Sequence, residues 1–127
     1  MHRRILSVPL AVAAVTMFLT TPAAVAADGE CNIILPAADR LETGFKLVYP
    51  SGTPSYVAGQ IRNALAPLHG LRSPAAVDLR LRSDMLASQI DASDPYRPAS
   101  PAQVASDLAK ARQLLATARD YCGLTGR

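Results

Sequence analysis

The sequence predicts an all-α protein, a four-helix up-down bundle closed by one disulfide between the chain ends. Three observations support this fold class. Apolar residues recur at the spacing of a helix face, Ser or Thr followed by Pro marks the helix starts, and two cysteines flank the helical stretches. The clearest stripe follows intervals of three and four residues near the end of the chain. It consists of Val104, Leu108, Ala111, Leu115, Ala118 and Cys122.

The start of the chain has the features of a secretory signal peptide. Positive charge is followed by an uncharged run over residues 5–19 and by small residues up to Ala27. That run is shorter than the roughly 20 residues that span a bilayer, so cleavage is favoured over an uncleaved anchor. We expect a leader at 1–27 and one helical domain at 28–127, secreted or held in the cell envelope without a stable membrane span.

Charge and composition limit the classes of partner that this protein is expected to bind. The chain has 13 basic and 10 acidic residues, and loss of Arg3 and Arg4 with the leader leaves 11 basic residues against those 10 acidic ones. The basic residues are scattered from Arg40 to Arg127 rather than clustered on one face, which argues against nucleic-acid binding. The preference for Ala, and for Arg over Lys, is typical of a GC-rich bacterial genome.

Cys31 and Cys122 are expected to form a disulfide, because an exported protein meets an oxidising compartment. A redox or metal-binding pair is the alternative, but the chain has no CxxC and only His69 outside the leader. In an up-down bundle of four helices, the first helix starts at the end where the fourth finishes. The two cysteines occupy those places, so pairing and helix count support each other.

The first helix is predicted between Asn32 and Pro50, with Pro36 in its first turn and Tyr49-Pro50-Ser51-Gly52 ending it. Gly44 weakens it by about 1 kcal/mol relative to Ala, so this helix depends on packing. Its apolar stripe is Ile34, Ala38, Leu41, Phe45 and Val48.

The second helix is predicted to begin with Thr53 as cap and Pro54 at the first position, and to be limited by Pro67. Its expected buried side is Val57, Ile61, Ala64 and Leu68.

The third helix is predicted to begin at Ser73-Pro74 and to reach about Ile90, although residues 77–82 also alternate like a strand. An isolated six-residue strand would have nothing to pair with, which favours a helix. As a helix it has two apolar sides that suit a position between neighbours. These are Val77, Leu81 and Met85 on one side, with Leu79, Leu86 and Ile90 nearly opposite.

Residues 91–100 are predicted to form a polar loop before the fourth helix. Ser100, Pro101 and Gln103 form a capping-box start, and Gly123 is the predicted stop. Because this helix is much longer than the first two, part of its stripe is expected to lack cover within the chain. A groove or a homodimer contact is the expected result.

The residues outside the leader exclude most catalytic constellations. His69 lies in a predicted surface turn. The sequence has no GxSxG nucleophile motif and no Gly-rich phosphate loop. Asp91 and Asp94 are badly spaced for an EF-hand. We therefore predict a non-catalytic binding or interaction protein without a cofactor. Its expected partner is an unknown protein or a small apolar ligand along the fourth helix.

The segment Val104-Ala105-Ser106-Asp107-Leu108, followed by Gln113, Leu115, Cys122 and Leu124, resembles the last helix of small exported haemophore-related proteins. Those proteins are helical, carry an early and a late cysteine, and in some members bind haem through Tyr and His. The resemblance covers residues 104–124 and the general layout, and Ala109 stands where a histidine would follow Leu108. It implies haem as an alternative ligand, with Tyr49 carried over and His69 as a chemical candidate.

Ala37-Ala38-Asp39-Arg40-Leu41-Glu42 with Phe45-Lys46, and Tyr121-Cys122, resemble the first helix and the C-terminus of exported chorismate mutases. That resemblance implies an enzyme that grips a dicarboxylate with cationic side chains, here Arg40, Lys46 and Arg80 with Glu42. Six residues separate Arg40 from Lys46, so they point about 240° apart on a regular helix. They do not easily share one site.

Overall fold

The computed structural model describes residues 29–92 and 100–125, and the predicted leader lies outside the described residues. We name the helices α1 (29–45), α2 (Tyr56–Leu65), α3 (Pro74–Ala92) and α4 (Pro101–Thr125). A short 3-10 helix, Ala66–Gly70, follows α2. The described ranges contain no strand, so the all-α prediction is confirmed. None of their helices is both long and apolar enough to cross a membrane.

The core is built from the apolar stripes that the sequence predicts for α1, α2 and α4. Every member of the three stripes is buried, and α3 packs against both α2 and α4. The prediction that part of the α4 stripe lacks cover is therefore wrong, because neighbouring helices of the same chain cover it from Val104 to Cys122. A ligand along that stripe has no exposed apolar surface to bind.

Residues 77–82 are helical rather than extended, which confirms α3. Its two apolar sides differ in burial. Leu79, Leu86 and Ile90 are buried, whereas Leu81 and Met85 keep 50% and 49% of their surface exposed. The chain covers one side of α3 and leaves the other open.

Covalent and polar contacts join α1 to α4. The predicted disulfide links Cys31 to Cys122, with 5.5 Å between their Cα atoms. Further along α1, Asp39 Oδ1 lies 2.9 Å from Arg119 Nη2. At its end, the Phe45 carbonyl accepts from Arg112 Nη2 at 3.5 Å. Positions that advance along α1 meet positions that recede along α4, so these two helices run in opposite directions.

Serine caps begin α3 and α4, as predicted. Ser73 Oγ accepts from the Ala76 N–H at 3.3 Å, and Ser100 Oγ accepts from the Gln103 N–H at 3.4 Å. The capping box of α4 is only half formed, because the Gln103 side chain donates to Asp107 Oδ1 at 3.1 Å.

The predicted start of α2 is wrong. The Thr53 hydroxyl donates to the Tyr49 carbonyl at 2.8 Å and accepts from the Tyr49 N–H at 2.9 Å, so it closes the loop behind α1 instead of capping. The helix begins two residues later than predicted, at Tyr56, after Ser55, whose side chain makes no capping hydrogen bond. It ends at Leu65, ahead of Pro67, as predicted.

Three predicted helix boundaries also shift. Residue 29 is already helical, so Pro36 lies inside α1, where Asn32 and Pro36 are both exposed and water can reach the carbonyl that loses its amide partner. The helix ends at residue 45, before the predicted 49–52 stop. Gly123 does not stop α4, because it lacks the left-handed conformation of a glycine cap.

The predicted loop over 91–100 starts later than expected. Asp91 belongs to α3, where Arg62 of α2 hydrogen-bonds to its carboxylate. Arg62 Nε also lies 3.6 Å from Asp84 Oδ1, so α2 and α3 are joined by charge as well as by apolar packing. Asp94 and the rest of 93–99 lie outside the described residues.

Glu30 holds the start of α1 against the start of α3. Its carboxylate accepts from the N–H groups of Arg72 at 3.2 Å and Ser73 at 3.3 Å, which are amides at the N-terminus of α3. Burial opposes ionisation of Glu30, but hydrogen bonds from the Ser73 side chain and these amides outweigh it and lower its pKa below 4.5.

We expect Glu30→Gln to lower the free energy of unfolding by about 1 kcal/mol at pH 7, where a charged acceptor is lost. A lowered pKa means that the folded state binds fewer protons than the unfolded state. The stabilisation is therefore present above pH 4.5 and is lost as pH falls through the lower folded-state pKa.

Urea unfolding of both proteins at pH 7 and at pH 3 measures this difference. The gap should shrink at pH 3, and Asp120→Asn, at an exposed position of α4, provides the control. An equal gap at both pH values would contradict the role of the charge.

Candidate functional site

A concavity lies between α1 and α2, with a volume of about 720 Å³. We call it the α1–α2 groove. One wall carries Arg40 and Thr43 of α1. The other is a single face of α2, because its residues recur at intervals of three and four. These residues are Tyr56, Gly59, Gln60, Asn63 and Ala64.

Arg40 supplies the charge of the groove. It is exposed and forms no ion pair within 29–92 and 100–125. Arg62, Arg119 and Lys46 differ, since each lies against one or more carboxylates. Arg40 therefore presents a guanidinium whose donors remain available to an anion entering the groove.

The opposite wall offers neutral polar groups and a ring. Gln60 and Asn63 carry amides that both donate and accept, and Tyr56 keeps 62% of its surface exposed. Thr43 is already engaged, because its hydroxyl donates to the Asp39 carbonyl at 3.3 Å. The lining suits a ligand with an anionic group and a flat apolar body.

Two glycines shape the groove in different ways. A Cβ at Gly44 would lie 3.2 Å from Ile61 Cγ1, so the missing side chain lets α1 and α2 approach closely. A Cβ at Gly59 would have no heavy atom within 4 Å. Packing thus accounts for Gly44, whereas no contact requires glycine at position 59, where it costs the helix about 1 kcal/mol relative to Ala.

The two predicted haem-binding residues do not meet. Tyr49 follows the C-terminal end of α1 and is 58% exposed. His69 is exposed in the 3-10 helix, three residues from Arg72, which bonds to Glu30 near the other end of α1. About 25 Å of helix separates those ends. Tyr49 and His69 therefore lie towards opposite ends of α1, and neither lines the α1–α2 groove.

The residues implied by the chorismate mutase resemblance are also dispersed. Arg40 alone lines the groove. Glu42 Oε1 lies 2.5 Å from Arg119 Nη1, and Glu42 Oε2 lies 3.5 Å from Lys46 Nζ. The hydrogen bond from Arg119, aided by both positive charges, holds the pKa of Glu42 below 4.5. Arg80 belongs to α3, so these four residues do not form one cationic cavity.

No group of three or more His, Cys, Asp or Glu side chains in the described ranges is arranged to hold a metal ion. The cysteines are paired with each other, as predicted.

Sequence reasoning missed Tyr56, Gln60 and Asn63. A signal was present, because these three residues and Gly59 share one side of a short helix whose opposite side is apolar. Polar residues on a helix normally face only solvent. The close approach of α1 and α2 at Gly44 and Ile61 places Arg40 on the other wall of the groove. The local sequence pattern does not predict this contact.

Comparisons with protein-family models, with curated proteins and with solved structures return no match for this chain. Over residues 29–92 and 100–125, the fold is all-helical, with four α-helices and a disulfide that joins the first to the fourth.

Proposed function

We propose that this chain is an exported bacterial binding protein whose α1–α2 groove holds a small ligand with a carboxylate and a flat apolar body. The observation that carries the proposal is Arg40, a guanidinium on the groove wall without an ion pair among the described residues. The role is non-catalytic. The helices are arranged up-down, which the opposite directions of α1 and α4 support.

A carboxylate is the anion favoured by this wall. The planar guanidinium of an arginine matches a carboxylate in a two-point contact, which a compact ammonium group does not reproduce. Gln60 and Asn63 stand on the facing helix and can bond to a second polar group of the ligand. The exposed Tyr56 ring offers apolar surface for the ligand body.

Gly59 supports binding rather than a purely structural role for this face. Alanine at an exposed, open helix position is more favourable by about 1 kcal/mol, and nothing in the packing prevents it. A side chain at position 59 would project into the groove. We infer that glycine at this position keeps the groove unobstructed.

Export is supported by the leader-like residues 1–27 and by the disulfide, which persists in oxidising compartments. Intact mass of the protein recovered from the envelope or culture fluid should give a chain beginning at Ala27 or Asp28. A full-length chain inside the cell would contradict export.

The binding test uses NMR titration of the oxidised protein with benzoate and with benzamide, its neutral analogue. Benzoate should shift amide signals of α1 and α2 in a saturable way, and benzamide should bind at least about tenfold more weakly, since a charged contact is worth about 1.5 kcal/mol or more. Arg40→Gln should remove that preference. Lys46→Gln is the matched control, because this cation directly after α1 lies against Glu42 and outside the groove.

Gly59→Ala and Gly59→Leu complete the design. Gly59→Ala should raise the free energy of unfolding by up to about 1 kcal/mol, and Gly59→Leu should block benzoate while the fold persists. Equal binding of benzoate by wild type and Gly59→Leu would place the ligand elsewhere. Absence of any saturable shift with benzoate would overturn the proposed ligand class, and a haem titration would then test the haemophore-like alternative.

A further inference from the structure

A second surface of the protein lies on the open side of α3. Leu81 and Met85 are half exposed there and line a cleft of about 410 Å³ with Leu114 of α4. Asp78 and Arg82 border the same cleft. This surface, which we call the α3 face, lies on different helices from the α1–α2 groove.

The charges of the α3 face are unpaired among the residues that the structure describes. Asp78 and Arg82 are four residues apart, with the acid first, which is the favourable order for an ion pair along a helix. Even so, neither forms an ion pair with any residue in the described ranges. One acid and one base therefore flank half-exposed apolar side chains and remain available to a partner.

We propose that the α3 face is a homodimer interface, in which α3 of two copies pack antiparallel about a two-fold axis level with position 80, next to Leu81. A two-fold contact uses the same patch twice, so the patch must complement itself. With the axis level with position 80, midway between positions 78 and 82, Asp78 of each copy comes beside Arg82 of the other. Both charges are then paired, and Leu81 and Met85 of both copies are covered.

The size of the patch sets the strength of the dimer. At 1.5 Å per residue α3 is about 28 Å long, and a standard interface buries about 800 Å² on each partner. Two crossing helices of this length bury an area at the lower end of what standard interfaces bury. The dimer is therefore weak, and assembly depends on protein concentration.

Sedimentation equilibrium of the oxidised protein from 10 µM to about 1 mM tests the proposal. The apparent mass should rise from one chain towards two. Leu81→Glu should raise the dissociation constant at least about tenfold, whereas Leu35→Glu, at a similarly exposed apolar position of α1, should leave it unchanged. Far-UV circular dichroism establishes that both variants remain helical.

Charge reversal identifies the geometry. Asp78→Arg and Arg82→Asp should each weaken the dimer, and the double variant should restore it, because each charge again meets its opposite across the axis. Three results would overturn the proposal: a monomer at the highest concentration, a dimer indifferent to Leu81→Glu, or a double variant no better than the single ones. None of these results bears on the groove, which is tested by benzoate.

Discussion

Reduction of the Cys31–Cys122 disulfide is expected to lower the free energy of unfolding by about 4.6 kcal/mol. The bridge closes a loop with a sequence separation of 91, and the chain-entropy relation for a loop of this length gives that value at 25 °C. Domains of this size are commonly stable by only 5–15 kcal/mol. The reduced protein should therefore be close to its folding threshold.

Urea unfolding with and without reductant measures this loss. A Cys31→Ser, Cys122→Ser double variant should match the reduced protein and show no response to reductant. A loss below about 1 kcal/mol would mean that residual contacts between the α1 and α4 segments already restrict the unfolded chain, as in compact denatured ensembles.

Leu115→Ala is expected to lower the free energy of unfolding by about 2 to 5 kcal/mol. Leu115 is 4% exposed and belongs to the central apolar cluster of the protein. Truncation removes buried methyl groups and leaves a cavity that long, disulfide-tethered helices cannot easily collapse. Chemical denaturation of the oxidised protein gives the value.

Leu35→Ala is the matched control, because Leu35 is a helical leucine with 43% of its surface exposed. It should change the free energy of unfolding by less than about 0.5 kcal/mol. A similarly small change for Leu115→Ala would place that side of α4 outside the core and would contradict the packing described above.

The fold was predictable where one physical signal dominates. The stripe from Val104 to Cys122 has a helical period over many turns, and every member is buried. α3 was harder to predict, because residues 77–82 fit both the helical and the strand period. The lack of a strand to pair with favoured a helix, and the segment is helical. Its start followed from Ser73, whose hydroxyl accepts from the Ala76 N–H as a cap.

Other features could not be predicted because they depend on contacts distant in sequence. Thr53 has the local signature of a cap, yet the Tyr49 backbone competes for its hydroxyl. Glu30 reads as an ordinary charge at the start of α1 until α3 brings its N-terminal amides to it. The same limit applies to the groove, because its charge comes from one helix and its amides from another.

The link between Cys31 and Cys122 also has a mechanical consequence. A pulling force applied to the chain before Cys31 and after Cys122 passes through the sulfur bridge instead of through the four helices. The enclosed segment, which would extend to about 300 Å if unravelled, stays out of the load path. A protein that is tethered or pulled at the cell surface would thus keep its groove intact under a tension that unfolds a helical domain without a crosslink.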